Sequence, residues 1–105
     1  MKRAIKAGVT IVHGSDDYTD IRLPFGEMPL HNIIAYSLAG LSVPEVLKTA
    51  TINAANHLRW GNRIGIIKKG YWADIIAVEG DLEKDIRALL NTRFVMKGGK
   101  LVVNK

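Results

Sequence analysis

The chain of 105 residues has no cysteine. That excludes disulfides and thiolate metal sites and leaves nothing to argue for an oxidising compartment, so the default location is the cytoplasm. Long apolar runs are also missing: none approaches the roughly 20 residues that cross a bilayer, and Met1-Lys2-Arg3 is not followed by the apolar core of a signal peptide. No segment repeats at a period of about 20 to 50 residues, which excludes a solenoid. Long basic runs are absent too. The net charge of +5 is spread from Lys2 to Lys105 with nothing longer than Lys68-Lys69, and aromatic residues do not interleave with it as a stacking platform would. The charge reads as a solvated surface, and neither nucleic acid nor membrane is expected as a partner.

What is present is one modest domain's worth of apolar pattern. Six of the isoleucines, leucines and valines fall between Ile64 and Val78. Ile64, Ile66 and Ile67 read as a first strand, Lys68-Lys69-Gly70 as a turn with Gly70 at positive φ, and Ile75 to Val78 as a largely buried second strand. That hairpin is the expected centre of burial. Asp74, just before the second run, is expected to bond neighbouring backbone amides.

Upstream, Lys2 to Gly8 reads as the last turns of a helix that lacks a cap of its own, which suggests that the element starts before Met1. Val9 to Val12 follows as a β-branched run suited to a parallel strand covered on both faces, ending at His13-Gly14-Ser15-Asp16-Asp17. In α/β folds ligands bind at that end of a strand. On its own, Gly14-Ser15-Asp16 is as well explained by a turn or a helix cap. Tyr18 to Gly26 reads as a loop at the mouth of a site, where a substrate side chain would be selected.

A helix is expected from about Glu27, with Leu30, Ile33, Ile34, Ser37, Leu38 and Leu41 on its buried face, Gly40 ending it and His31 exposed. Ser42-Val43-Pro44-Glu45 opens a second helix as a capping box, whose stripe continues through Val46, Leu47, Ala50, Ala54 and Leu58. Thr51 and Asn53 compete for backbone bonds there, so a break and restart is expected. His57 reads as a charge partner of the helix C-terminus. Leu82, Ile86, Leu89 and Leu90 share one side of a short helix, and Phe94 to Val103 is a hairpin around Gly98-Gly99.

Four strings in this order resemble one family. Ala7 to Ile11 leading into Gly14-Ser15-Asp16, then Ala50-Thr51-Ile52-Asn53-Ala54-Ala55, then Gly65 to Ile75 with Ala73-Asp74, and finally Val95 to Lys100, are similar to the C-terminal part of the amidohydrolase superfamily, in particular its imidazolonepropionase-like and prolidase-like members. The resemblance implies an α/β fold: residues 1–60 as the last strand and helices of a TIM-type barrel, and residues 61–105 as hairpins of a small β-sandwich, incomplete on its own. It implies that Asp16 takes a proton from a metal-bound water, passes it to the leaving group and contacts the metal. His13 and Asp17 depart from the family's usual residues at their positions, which points either to an altered pocket or to a strand end with more solvent than usual.

The resemblance further implies metal-dependent hydrolysis of a C–N bond in an amide, cyclic amide or dipeptide-like small molecule, with a divalent cation, zinc first, as cofactor. The family's His-x-His and its other ligands have no counterpart here, so the isolated chain is expected to hold no metal and to be inactive. Its partner is expected to be either a second copy, through open strand edges, or a chain carrying the rest of the barrel. The competing reading is a non-catalytic β-rich binding or assembly module. A self-contained metal site from His13, Asp16, Asp17, His31 and His57 is a third and weaker reading, because their spacing matches no ligand motif.

Overall fold

Helix signals in this chain are local, and each produces its element. The computed structural model describes residues 1–17, 22–24 and 26–105. Helix α1 (Lys2–Lys6) carries Lys6 in its last turn, and Gly8 follows it at φ +71°. Helix α2 (Glu27–Leu38) ends before Gly40, at φ +103°. Helix α3 (Val43–Ala50) opens on the expected capping box: the Ser42 amide and hydroxyl donate to Glu45 Oε2 at 2.8 and 2.6 Å. The Ser42 hydroxyl first, then the Ser42 amide, holds the Glu45 carboxyl below the usual carboxylate range. Replacing Ser42 by alanine should lower stability by about 0.5–2 kcal/mol, read from the urea midpoint; no change would mean that the cap is dispensable.

The helix breaks at Thr51, φ −123° and ψ −100°, and restarts as α4 (Ile52–His57). The competing side-chain bonds are in place, from Thr49 Oγ1 to Val46 O and from Thr51 Oγ1 to Leu47 O, both 2.7 Å. The break re-phases the stripe. Ala55 is buried and Leu58 is exposed, the reverse of what an uninterrupted helix would give.

Strand β1 (Ile75–Val78) leads through a turn into a 3-10 helix (Ile86–Asn91), then β2 (Thr92–Lys97) and β3 (Lys100–Asn104). The three strands form an antiparallel sheet in the order β1-β2-β3. Gly98 and Gly99, at φ +55° and +79°, make the tight β2–β3 turn that their sequence promised.

The other expected hairpin does not form. Residues 64–67 carry no strand, and β1 pairs instead with β2, Ile75 opposite Met96 and Ala77 opposite Phe94. Gly70 does adopt positive φ, at +86°, but the turn it serves joins no ladder. β1 is also less covered than a central strand: Ile76 is 53% exposed. Residues 9–12 likewise form no strand, because a β-branched run becomes one only where a neighbour supplies a ladder. Leu38, placed on the buried face by its spacing, is 82% exposed. Of the expected mouth loop, Tyr18, Thr19, Asp20, Ile21 and Phe25 lie outside the described residues.

The core is accordingly elsewhere than in the 64–78 segment. Leu41, Val46, Ile86 and Leu89 are buried together, with Ile33, Ile34 and Tyr36 of α2 and Val78 of β1 packed against them. The 3-10 helix thus sits between the helices and the sheet, and truncating Leu89 to alanine should cost about 2–5 kcal/mol.

Asp74 ties the sheet to the segment before it. Its Oδ1 accepts from the Gly98 amide and its Oδ2 from Lys97 Nζ, both at 2.7 Å, while the Gly99 amide donates to Ala73 O at 3.0 Å. The amide it caps is therefore remote in sequence rather than neighbouring. Lys97 first, and the Gly98 amide second, hold its carboxyl below the usual carboxylate range. A carboxyl lowered in the folded state stabilises in full above its unfolded value of about 4 and loses that contribution as pH falls through the folded one. Asp74→Asn should lower the melting midpoint at neutral pH and flatten the acid limb of the stability profile. An unchanged acid limb would mean that the clamp is not coupled to folding.

Candidate active site

The segment that carries Gly14-Ser15-Asp16 is held by the helix break. The His13 amide donates to Thr49 O at 2.9 Å, and Asn53 Nδ2 donates to Ile11 O at 3.0 Å. Because Thr51 interrupts the helix, Thr49 O is free to accept from outside it. Two strings some forty residues apart are thereby joined, and Asn53 acts at long range.

His13 packs edge-on against Tyr36 of α2, ring centroids 5.7 Å apart. Its Nδ1 is buried and has no hydrogen-bond partner. Asp16 is exposed, with φ +50° in the left-handed region, a conformation that aspartate tolerates better than most residues. Asp17 Oδ2 accepts from Asn32 Nδ2 at 2.6 Å, so it docks the loop onto α2. His31 Nε2 lies 3.1 Å from Glu27 Oε1 on its own helix, and His57 is exposed in the last turn of α4.

The candidate ligands are therefore not gathered. His13 meets α2 through Tyr36 and Asp17 meets it through Asn32, while His31 and His57 belong to different helices. Among the described residues no three His, Cys, Asp or Glu side chains could hold a metal ion together. Sequence reasoning gave no sign of the Tyr36 contact, since an aromatic on a helix carries no local mark of what it will face. A cleft of about 300 Å³ between α1, residues 8–11 and α3 includes Glu45, Lys48, Thr49 and Asn53 but not Asp16. No helix among the described residues is long and apolar enough to cross a membrane.

Helices packed beside a small antiparallel sheet, with a carboxylate at the end of a segment pinned to a helix break, define an α/β arrangement found in known hydrolases. Over 98% of its length the chain superposes on 24% of a Xaa-Pro dipeptidase crystallised with methionine bound in the active site, with TM-score 0.87 and 28% identity. The profile of the amidohydrolase family matches residues 1–102, and the chain belongs to that family. It is 38% identical to ochratoxinase of Aspergillus niger over 104 residues, 93% of this chain and 20% of the relative. It is 33% identical to imidazolonepropionase of Thermoanaerobacter pseudethanolicus over 78 residues, 74% of this chain and 19% of the relative. The chain thus spans about a fifth of the length of these curated relatives.

The family is generally metal-dependent. The donors described here do not fit such a centre by themselves. A catalytic zinc takes about three protein ligands; among the described residues of this segment stand the exposed carboxylate of Asp16 and the unpartnered imidazole nitrogen of His13, while the Asp17 carboxylate is bonded to Asn32.

Proposed function

We infer that the chain works as the C-terminal portion of a hydrolase acting on the C–N bond of a small amide, cyclic amide or dipeptide-like substrate. Residues 1–60 contribute the last strand region and helices of a (β/α) barrel, and residues 61–105 contribute strands of a β-sandwich. The observation that carries this reading is the bonding of the residues leading into Gly14-Ser15-Asp16, Ile11 and His13, to Asn53 and Thr49 at the helix break. Asp16 lies at the end of that segment and is exposed.

In this reading Asp16 holds the proton released by the attacking water and returns it to the departing nitrogen. Divalent-cation donors come from residues other than those described, so the chain alone turns over no amide. A graft tests this: residues 1–105 replace the matched fifth of A. niger ochratoxinase. A folded, metal-loaded graft that hydrolyses an amide supports the reading. One that is folded and loaded by mass spectrometry, yet inert, overturns it.

A second reading, a β-rich assembly module, is favoured by Leu101 and Val102 on the outer strand β3, 56% and 62% exposed. It requires self-association through that edge. A monodisperse monomer in light scattering removes it.

A further inference from the structure

Asp16 stands between two anchors on one helix. On its N-terminal side the His13 ring meets Tyr36 edge-on, with centroids 5.7 Å apart and planes at 73°. On its C-terminal side Asp17 Oδ2 accepts from Asn32 Nδ2 at 2.6 Å, a short, charge-assisted bond. Asn32 and Tyr36 both belong to α2 and follow one another at the i, i+4 spacing of a single helix face. The later residue of the segment meets the earlier residue of the helix, so the segment runs against the helix direction.

That arrangement dictates a bend. A helix advances about 6 Å between positions i and i+4, whereas an extended chain covers about 13 Å in the same number of steps. A segment fastened to both points has to fold back between them, and Asp16, at φ +50°, lies within that stretch. The base of the clamp is itself fixed. Tyr36 packs against the cluster of Leu41, Val46, Ile86 and Leu89, and the His13 amide donates to Thr49 O at 2.9 Å, with Thr49 buried. All of these contacts lie within the chain, so none depends on what stands beside it.

We propose that α2 is a splint for the Asp16 segment, and that His13, Asp17, Asn32 and Tyr36 are positioning residues that hold the Asp16 carboxylate in one orientation. The clamp acts as a unit, because losing either anchor frees the bend to open. As an account of catalysis this rests on the hydrolytic reading above; as an account of the order of the segment it does not. A proton carrier has to be held in place, since a displacement of about 1 Å can cost about a hundredfold in rate.

Roles of their own in the chemistry fit His13 and Asp17 less well. The His13 Nδ1 is buried and, among the described residues, has no hydrogen-bond partner, so a proton has no route through it; its ring works by packing on Tyr36. The Asp17 Oδ2 is committed to Asn32.

The test exchanges the hydrogen-bond partners. Asn32→Asp sets two carboxylates against each other and should open the clamp. Asp17→Asn keeps an oxygen that accepts from Asn32 and should leave it closed. Combining Asp17→Asn with Asn32→Asp restores one amide donor and one carboxylate acceptor, with their places reversed, and should close it again. The readout in the whole chain is the backbone order parameter of Gly14, Ser15 and Asp16 from nitrogen relaxation, expected near 0.85 with the clamp closed and below about 0.6 with it open. Tyr36→Leu should loosen the same three residues, and Asn32→Ala, which removes the donor without adding charge, serves if Asn32→Asp does not fold. Order parameters indifferent to the Asn32 substitutions, a folded exchanged pair as loose as Asn32→Asp alone, or a Tyr36→Leu effect confined to Gly14 overturns the proposal. In the ochratoxinase graft, Asn32→Asp should lower kcat about tenfold to a hundredfold with KM changed less than about twofold, and the exchanged pair should restore it. An active graft whose kcat ignores Asn32→Asp overturns the positioning role. A folded, metal-loaded but inert graft instead overturns the hydrolytic reading, and the order parameters alone then decide the clamp.

Discussion

Gly65→Ala is expected to lower the stability of the chain by about 3 kcal/mol, the sum of an unfavourable left-handed conformation and an overpacked contact. Gly65 sits at φ +96°, and a Cβ placed on it would lie 2.7 Å from Ala55 Cβ, 3.1 Å from Ile52 Cα and 3.2 Å from Thr51 O. Two of those neighbours are backbone atoms and the third is the methyl of a buried alanine, so none can swing aside. The segment after α4 can approach the helix this closely only because Gly65 has no side chain. For a domain of this size the loss corresponds to a fall of roughly 10–20 °C in the melting midpoint.

Gly70→Ala supplies the control. Gly70 has a similar φ of +86° but open space where its Cβ would stand, so alanine there should cost only the conformational share, about 1–2 kcal/mol. Equal losses at the two positions would show that close approach to α4 contributes nothing. A larger loss at Gly65, read by thermal and urea unfolding of both variants, would confirm it.

The second large effect is on chemistry. In the graft described above, Asp16→Asn should reduce amide turnover by about a hundredfold to ten-thousandfold, the usual range for a lost proton-transfer group. Asparagine keeps the shape of aspartate and tolerates the same left-handed backbone, so the substitution removes the proton-accepting carboxylate while leaving φ +50° undisturbed. Asp17→Asn is the matched control, since Asp17 is bonded to Asn32 and faces α2. It should change the rate by less than about tenfold. Comparable losses from both would mean that the loop's docking, rather than a carboxylate at Asp16, limits the reaction.

Much of the local structure was legible before any coordinates. The Ser42–Glu45 cap, the helix break at Thr51, the Gly98-Gly99 turn and the short helix before β2 each depend on residues within a few positions of one another. The partner of β1 was not legible, although the β2–β3 pairing was. Ile64 to Ile67 and Thr92 to Lys97 are both short apolar runs, and nothing near either says which will lie beside Ile75 to Val78. A turn residue such as Gly70 permits a hairpin without requiring one.

The candidate site divides in the same way. Asp16 could be singled out from Gly14-Ser15-Asp16 and the neighbouring strings, because a family resemblance is written in residue order. That Asn53 holds Ile11, that Thr49 holds His13, and that Asp17 leans on α2 are contacts across wide sequence separations, and no local pattern encodes them.

By itself, then, the order of amino acids determined the caps, turns, breaks and family of this chain, because those follow from backbone preferences and short-range bonds. Only the tertiary structure decided where the apolar residues gather. Leu41, Val46, Ile86 and Leu89 are buried together and the isoleucine-rich 64–67 segment is left at a groove, because burial depends on which surfaces meet, and that is a property of the assembled elements rather than of any one of them.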